Sequence, residues 1–159
     1  MYRAVATLLA VVGFVTVPGQ LQAQDPVVQE IRQLINSDYA YSAENLMDRA
    51  GTYAQAGSQE FWSSGGLMQS VPADAPAQAY ESFNLVPKYI TVISLAENVA
   101  MAQFYVEGSY QEKGAAPVDH YFTRATQVFV KEGGAWKVRA AHWSPVAGGS
   151  GTQQTAIIR

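Results

Sequence analysis

Four segments in the second half of the chain have the apolar pattern of β-strands and are separated by turn residues: 83–95, 98–111, 119–131 and 135–144. Between the last two lies Gly133-Gly134, which suits a two-residue turn because such turns need positive φ angles. Strands joined by a turn of this length run antiparallel. The second half is therefore predicted to form an antiparallel sheet.

The pattern also predicts which side chains face the interior. Between residues 100 and 110 the even positions are the more apolar, so they are predicted to face inward. These positions are Ala100, Ala102, Phe104, Val106, Gly108 and Tyr110. A two-residue turn at Gly133-Gly134 predicts three cross-strand pairs: Phe129 with Val138, Gln127 with Ala140, and Ala125 with His142.

In that register, one face of the last hairpin carries the larger aromatic residues and fewer charges, so it is predicted to face inward. This face includes Tyr121, Gln127, Phe129, Trp136 and His142. The opposite face includes Arg124 and Trp143, which are predicted to be cross-strand neighbours on the outside of the sheet. An exposed tryptophan is unusual for a monomer, so we expect a homodimer contact there, with Arg124 stacking on Trp143.

The segment before the strands has helical spacing. Asp25-Pro26 has the residue types of a helix start, and apolar residues recur at helical spacing from Val27 to Ala50. The stretch Asn36-Ser37-Asp38 leaves open whether there is one helix or two, and Gly51 or Gly57 is expected to end the helical part. Helices followed by a run of antiparallel strands are typical of the α+β class.

Residues 1–23 have the three-part pattern of a secretory signal peptide. Arg3 supplies the positive start, residues 4–17 are uncharged, and Ala23 is a plausible cleavage site. The apolar run is shorter than the ~20 residues of a membrane-spanning helix. We therefore expect a periplasmic or secreted domain at residues 24–147, followed by a flexible tail at 148–159 whose residues are small and polar.

Composition excludes several functions. The chain has no cysteine, so it forms no disulfide and no thiolate metal site. Without the signal peptide it keeps 9 basic and 13 acidic residues, a net charge of about −4, and it has no basic cluster that would bind nucleic acid. His120 and His142 are the only histidines, and no carboxylate lies at a helpful spacing. We predict no metal, no cofactor, and no membrane association after signal cleavage.

The closing hairpin "TQVFVKEGGAWKVRAAHWS" resembles that of the SnoaL-like, nuclear transport factor 2-like superfamily, which includes the association domain of calcium/calmodulin-dependent kinase II. The matching positions are Thr126, Val128, Phe129, Gly134, Trp136, Val138, His142 and Ser144. The stretch "ENVAMAQFYVEGSY" at 97–110 resembles the preceding strand. The resemblance implies N-terminal helices packed on a strongly curved, mostly antiparallel sheet that forms a cone with a cavity. It also implies pairing through the outer face of the sheet.

The superfamily includes ketosteroid isomerases, polyketide cyclases and dehydratases. The aspartate and tyrosine set of the isomerases is not found in this sequence. Our first hypothesis is a domain that binds a small, largely apolar organic ligand in the cone. The candidate ligand-binding residues are Phe104, Tyr110, Tyr121, Gln127 and His142. One alternative is an isomerase, cyclase or dehydratase that uses His142 with Tyr110 or Tyr121, and another is a dimeric assembly module without a ligand.

Overall fold

The computed structural model describes residues 25–151, which form one α-helix followed by six β-strands. Helix α1 spans Pro26–Asn45. The strands, in chain order, are β1 Ser58–Phe61, β2 Gln69–Val71, β3 Tyr80–Ala96, β4 Val99–Glu112, β5 Val118–Glu132 and β6 Ala135–Pro145. The four strands predicted in the second half of the chain correspond to β3, β4, β5 and β6. The predicted signal peptide at 1–23 lies outside the described residues.

The six strands form one sheet in the order β2-β1-β6-β5-β4-β3. Strands β1 and β6 are parallel, and every other neighbouring pair is antiparallel. Helix α1 packs mainly against β3 and also contacts β4. The molecule is thus an α+β cone, in which a helix packs on an open, curled and mostly antiparallel sheet. The predicted class is confirmed, although the described residues contain one helix rather than several.

Helix α1 begins as the sequence predicts. The side chain of Asp25 accepts a hydrogen bond from the backbone nitrogen of Val27 at 2.9 Å, and Pro26 occupies the first turn. The polar stretch at 36–38 does not divide the helix. Asn36 and Ser37 donate side-chain hydrogen bonds to helix carbonyls at 2.8 and 2.9 Å, which lets both residues remain inside the helix.

The helix ends earlier than the apolar spacing predicts. Leu46 has a left-handed backbone with φ of 50°, which terminates the helix. Met47 then forms an isolated β-bridge with Ala79. The prediction of a helical stripe that continues through Leu46, Met47 and Ala50 is therefore wrong, and all three residues are exposed.

The interior of the cone lies between α1 and the inner faces of the long strands. The prediction for β4 is confirmed, because its even positions from 100 to 106 and Tyr110 are buried. Ile31 and Ile35 from α1 pack into the same core as these residues and Phe129. Burying such side chains contributes about 1.5–3 kcal/mol each, so this core is the main source of stability.

The last hairpin contains a β-bulge that the sequence does not reveal. The predicted pair Phe129–Val138 is confirmed, but Val128 pairs with Ala140, so Arg139 is an extra residue on β6. The predicted pairs Gln127–Ala140 and Ala125–His142 are wrong. Gln127 pairs with Ala141, and Ala125 pairs with Trp143.

The bulge exchanges the two faces of β6 beyond Arg139 because side chains alternate along a strand. His142 is exposed on the outer face, and Trp143 packs against the core. The predictions of an inward His142 and an outward Trp143 are therefore both wrong. Arg124 does lie on the outer face, where its Nε donates to Ser144 Oγ at 2.8 Å instead of stacking on Trp143.

The first residues of the predicted tail are held by β5. Ser150 forms a parallel bridge with Tyr121, and its backbone nitrogen donates to the carbonyl of His120 at 2.9 Å. Residues 152–159 lie outside the described part of the chain. Between residues 25 and 151, no helix is both long and apolar enough to cross a membrane.

Candidate ligand-binding site

One row of residues crosses the concave face of the sheet. Cross-strand pairing places its five members side by side: Glu60, Ala141, Gln127, Ala102 and Val92. Residues that pair across neighbouring strands project from the same face of the sheet, so Glu60 and Gln127 share a face. They lie two strands apart, and neighbouring strands are about 4.8 Å from each other. The small side chain of Ala141 separates them. This row therefore places two polar groups on the concave face.

Gln127 lies on the concave face, as the sequence predicts. Its side chain is half-buried, whereas its neighbours Ala102 and Ala141 are buried. An alanine on each side leaves space next to the amide, which makes no hydrogen bond to another residue in the range 25–151. Gln127 is therefore placed to contact a molecule in the concavity, and its role in binding remains a prediction.

Three of the predicted site residues come together in the interior. Tyr110 and Tyr121 are buried, and their rings meet edge to face with centroids 5.4 Å apart. Phe104 is buried and contacts the ring of Trp143 at 5.7 Å. The phenol of Tyr121 lies 3.4 Å from the hydroxyl of Ser63. All three side chains belong to the same buried core.

His142 is not part of this arrangement. It is exposed on the convex face, where its ring lies 5.5 Å from that of Phe61. From that face it does not meet Tyr110 or Tyr121, which point into the cone. The structure therefore contradicts the predicted pairing of His142 with either tyrosine.

Asp48 is an interior acid that the sequence analysis missed. Its Oδ1 accepts hydrogen bonds from Tyr80 Oη at 2.9 Å and from Ser42 Oγ at 3.0 Å. Burial raises the pKa of Asp48, while the two hydroxyl donors act in the opposite direction. Tyr39 is nearby, because the charge of Asp48 contributes to raising the pKa of Tyr39, after burial and Tyr121.

Asp48 was missed because the apolar spacing extends the predicted helix through its position. A backbone hydrogen bond from Asp48 N to Gln78 O, at 2.8 Å, instead fixes the chain beside the start of β3. That contact links residues 30 positions apart, and no local pattern signals it.

Glu60 is a second interior acid, and it is only 2% exposed. Burial raises the pKa of Glu60, and the side chain of Ser58 acts in the opposite direction. In the sequence of β1, Ser58 and Glu60 are polar residues two positions apart, and such a pattern indicates a side of the strand that faces solvent. The parallel pairing of β1 with β6 turns this side inward, and such a long-range contact is not visible in a local pattern.

A groove of about 570 Å³ opens between α1 and the start of β6. Its walls include Leu34, Ser37 and residues 49–52, and its floor includes Trp136 and Val138. None of the five residues predicted to bind ligand lines this groove. Val138 pairs with Phe129, two positions from Gln127 on β5, so the groove reaches the concave face beside the row of Gln127.

Three of the four charged side chains that line the groove form ion pairs. Glu30 Oε2 accepts hydrogen bonds from Trp136 Nε1 at 2.5 Å and from Lys131 Nζ at 2.7 Å, and these bonds lower the pKa of Glu30. Arg49 Nε donates to Asp38 Oδ1 at 2.9 Å. Lys137, which also lines the groove, donates to the backbone carbonyl of Gly51 instead. The rim of the groove is thus charged, and its floor is apolar. Across residues 25–151, no three acidic or histidine side chains are grouped to hold a metal ion.

These features define a class of protein: an α+β cone with a helix over a concave sheet and polar side chains inside. No protein-family model and no curated protein sequence matches the chain. Solved structures do match it. One is a provisionally assigned aromatic ring hydroxylase from Novosphingobium aromaticivorans, with 17% identity, a TM-score of 0.57, and coverage of 78% of this chain and 92% of that chain.

Two further structures support the same fold. A nuclear transport factor 2-like protein of unknown function from Prochlorococcus has 20% identity, a TM-score of 0.51, and coverage of 79% of this chain and 94% of that chain. The association domain of C. elegans calcium/calmodulin-dependent kinase II has 12% identity, a TM-score of 0.51, and coverage of 73% and 93%. The chain has the nuclear transport factor 2-like fold, as the sequence resemblance implies.

Proposed function

We propose that the chain is an exported domain that binds a small, largely apolar organic molecule in the concavity between α1 and β6. The observation that carries this proposal is the groove of about 570 Å³ with Trp136 and Val138 on its floor. Small-molecule sites typically measure roughly 300–1,000 Å³ and combine apolar walls with a few polar groups. The groove has this size and this character.

Gln127 supplies the orienting polar group in this proposal. Its half-buried amide lies on the concave face beside the groove floor. An amide that is buried by a ligand without a hydrogen bond would cost about 1–3 kcal/mol. The ligand is therefore expected to carry at least one oxygen or nitrogen that pairs with Gln127, on an otherwise apolar skeleton.

Native mass spectrometry of the protein purified from its own compartment tests this proposal. The expected mass is that of residues 24–159 plus a retained organic molecule, since the chain is proposed to be exported and cleaved after Ala23. Substituting Ser37, which lines the groove from α1, with tryptophan should fill the groove and lower ligand occupancy at least tenfold.

The matched control is Asn36→Trp, on the adjacent helix position. Asn36 is exposed, bonds to a helix carbonyl as Ser37 does, and does not line the groove. Asn36→Trp should retain the ligand. An unmodified mass for the wild-type protein, or equal occupancy in the two variants, would contradict ligand binding in this groove and favour an assembly module.

A second candidate function is a proton-transfer enzyme of the isomerase, cyclase or dehydratase type. The observation that favours it is Asp48, a carboxyl group with a raised pKa near the phenols of Tyr39 and Tyr80. A carboxyl tuned by burial and placed beside phenolic donors is a typical acid–base arrangement. An enzyme would convert the retained ligand over time, whereas a binding protein would return it unchanged.

We also propose that the domain forms a homodimer through the convex face of the sheet. Tyr105 is 41% exposed and Tyr89 is 82% exposed, and their rings meet edge to face at 6.3 Å. Tyr89 has a φ of 54°, an uncommon conformation for a tyrosine, and lies at the register shift between Lys88 and Thr91. Arg124 is paired with Tyr105 across β4 and β5 and adds a charge beside the aromatic rings.

The dimer is tested with Tyr105→Glu, which places a charge at the centre of this face. Light scattering after gel filtration should give half the wild-type mass because the change removes an exposed aromatic ring from the interface and replaces it with a carboxylate that has to lose its hydration there. Leu67→Glu is the control, since Leu67 is 68% exposed but lies between β1 and β2. A monomeric wild-type protein, or a dimeric Tyr105→Glu variant, would contradict the proposed interface.

A further inference from the structure

Glu60 has an environment that no other acid of the described chain shares. It projects from β1 into the concavity, opposite Ala141, and is 2% exposed. An ionised carboxylate taken out of water is strongly disfavoured unless a cation or several hydrogen bonds compensate its charge. The group that offsets the negative charge of Glu60 therefore determines which ligands the concavity accepts.

No cation among residues 25–151 forms an ion pair with Glu60. The ion pairs of this region join Arg49 to Asp38, Lys88 to Glu107, and Lys131 to Glu30. Arg139, on the neighbouring strand, directs its guanidinium to the carbonyl of Gly57 at 3.4 Å. Asp48, the other interior acid, accepts its hydrogen bonds from hydroxyl groups. The concavity thus has acidic groups without a compensating positive charge.

Aromatic side chains are close to Glu60. Tyr53 forms a parallel bridge with Val138 on β6, the strand next to Glu60, and the charge of Glu60 adds to the burial that raises the pKa of Tyr53. Trp143 is the next inward residue on β6 after Ala141, and its Nε1 is buried without a hydrogen-bond partner among residues 25–151. A carboxylate with aromatic rings beside it is the combination that recognises an organic ammonium group.

We infer that the concavity accepts an organic cation, a ligand with an aromatic or aliphatic skeleton whose protonated amine pairs with Glu60. This inference rests on the ligand-binding function proposed above. The apolar groove floor at Trp136 and Val138 holds the skeleton. Glu60 lies outside the groove lining, in the adjoining concave row with Ala141 and Gln127, so the amine extends from the groove into this row to reach it. An acceptor atom on the ligand would pair with the indole nitrogen of Trp143. Anionic ligands are disfavoured because neither Glu60 nor Asp48 forms an ion pair with a cation of residues 25–151.

The test compares two probes with the same skeleton, naphthylethylamine and naphthylethanol, by isothermal titration calorimetry at neutral pH. The wild-type protein should bind the amine about tenfold or more tightly than the alcohol, since a charge-assisted hydrogen bond to Glu60 is stronger than a neutral one. Glu60→Gln should reduce this preference to about twofold or less while still binding the alcohol.

Glu97→Gln is the matched control, because Glu97 is exposed at the turn between β3 and β4. It should keep the full preference for the amine. Equal affinity of the wild-type protein for both probes would overturn the inference and leave the ligand-binding function standing. Loss of the preference in Glu97→Gln would also overturn it, since surface charge would then be the cause. Binding of neither probe would overturn both the inference and the proposed function.

Discussion

Gly108→Ala is expected to destabilise the protein by about 3 kcal/mol or more. Gly108 pairs with Leu85, and a Cβ at this position would lie 1.9 Å from the carbonyl oxygen of Asn84. The φ of Gly108 is +137°, which side chains rarely adopt. Relieving this clash would require separating β3 from β4, and these strands form the longest ladder of the sheet.

The change would also alter the concave face. The β4–β5 pairing shifts in register between Gly108 and Tyr110, so the strand bends beside the buried rings of Tyr110 and Tyr121. Separating β3 from β4 would move these rings. We therefore expect Gly108→Ala to lower ligand retention together with stability.

Gly114→Ala separates the steric effect from the backbone effect. Gly114 also has a positive φ, +76°, but a Cβ there would have no atom within 4 Å. This variant should lose about 1 kcal/mol, from backbone strain alone. Urea unfolding of both variants measures the difference. Equal destabilisation of Gly108→Ala and Gly114→Ala would show that the close approach of β3 to β4 does not constrain position 108.

The sequence predicts the long strands well because their patterns are strong. In β4, alternation between residues such as Phe104 and Gln103 persists over more than ten positions, and a register error would place every apolar side chain in water. The same alternation predicts that Tyr110 and Tyr121 face the interior, where the structure has them. Local chemistry likewise predicts the start of α1, where Asp25 and Pro26 act within one turn of the chain.

The sequence does not predict the bulge at Arg139 because alternation is lost there. Ala140 and Ala141 are consecutive, and both are small and apolar, so either can face inward at similar cost. The choice is made by non-local packing, in which a large ring at 143 fills the space beside Phe104. A histidine in that position would bury a polar ring, and the bulge avoids this outcome.

The interior acids were missed for a related reason. Asp48 and Glu60 take their positions from pairings with distant segments, at Gln78 and Ala141 respectively. A short strand such as β1 has too few residues for its alternation to show which face is buried. For such acids, the face that the local sequence pattern predicts differs from the face that distant pairing produces. The local pattern alone therefore assigns them to the surface.

Trp143→Ala provides the second large effect, and it tests the bulge directly. The ring of Trp143 packs edge to face on Phe104 at 5.7 Å and is half-buried in the core. Its removal should reduce the free energy of unfolding by about 2–3 kcal/mol, somewhat less than for a fully buried tryptophan. Gel filtration should show an unchanged oligomeric state, because Trp143 lies away from the convex face.

His142→Ala is the matched control, one residue earlier on the same strand. His142 is exposed and contacts Phe61 on the convex face, so its removal should change stability by about 0.5 kcal/mol or less. In the register without a bulge, the two effects would be exchanged, and Trp143→Ala would dissociate a dimer with little loss of stability. Urea unfolding and light scattering on this pair of variants therefore determine which face of β6 lines the concavity beyond Arg139.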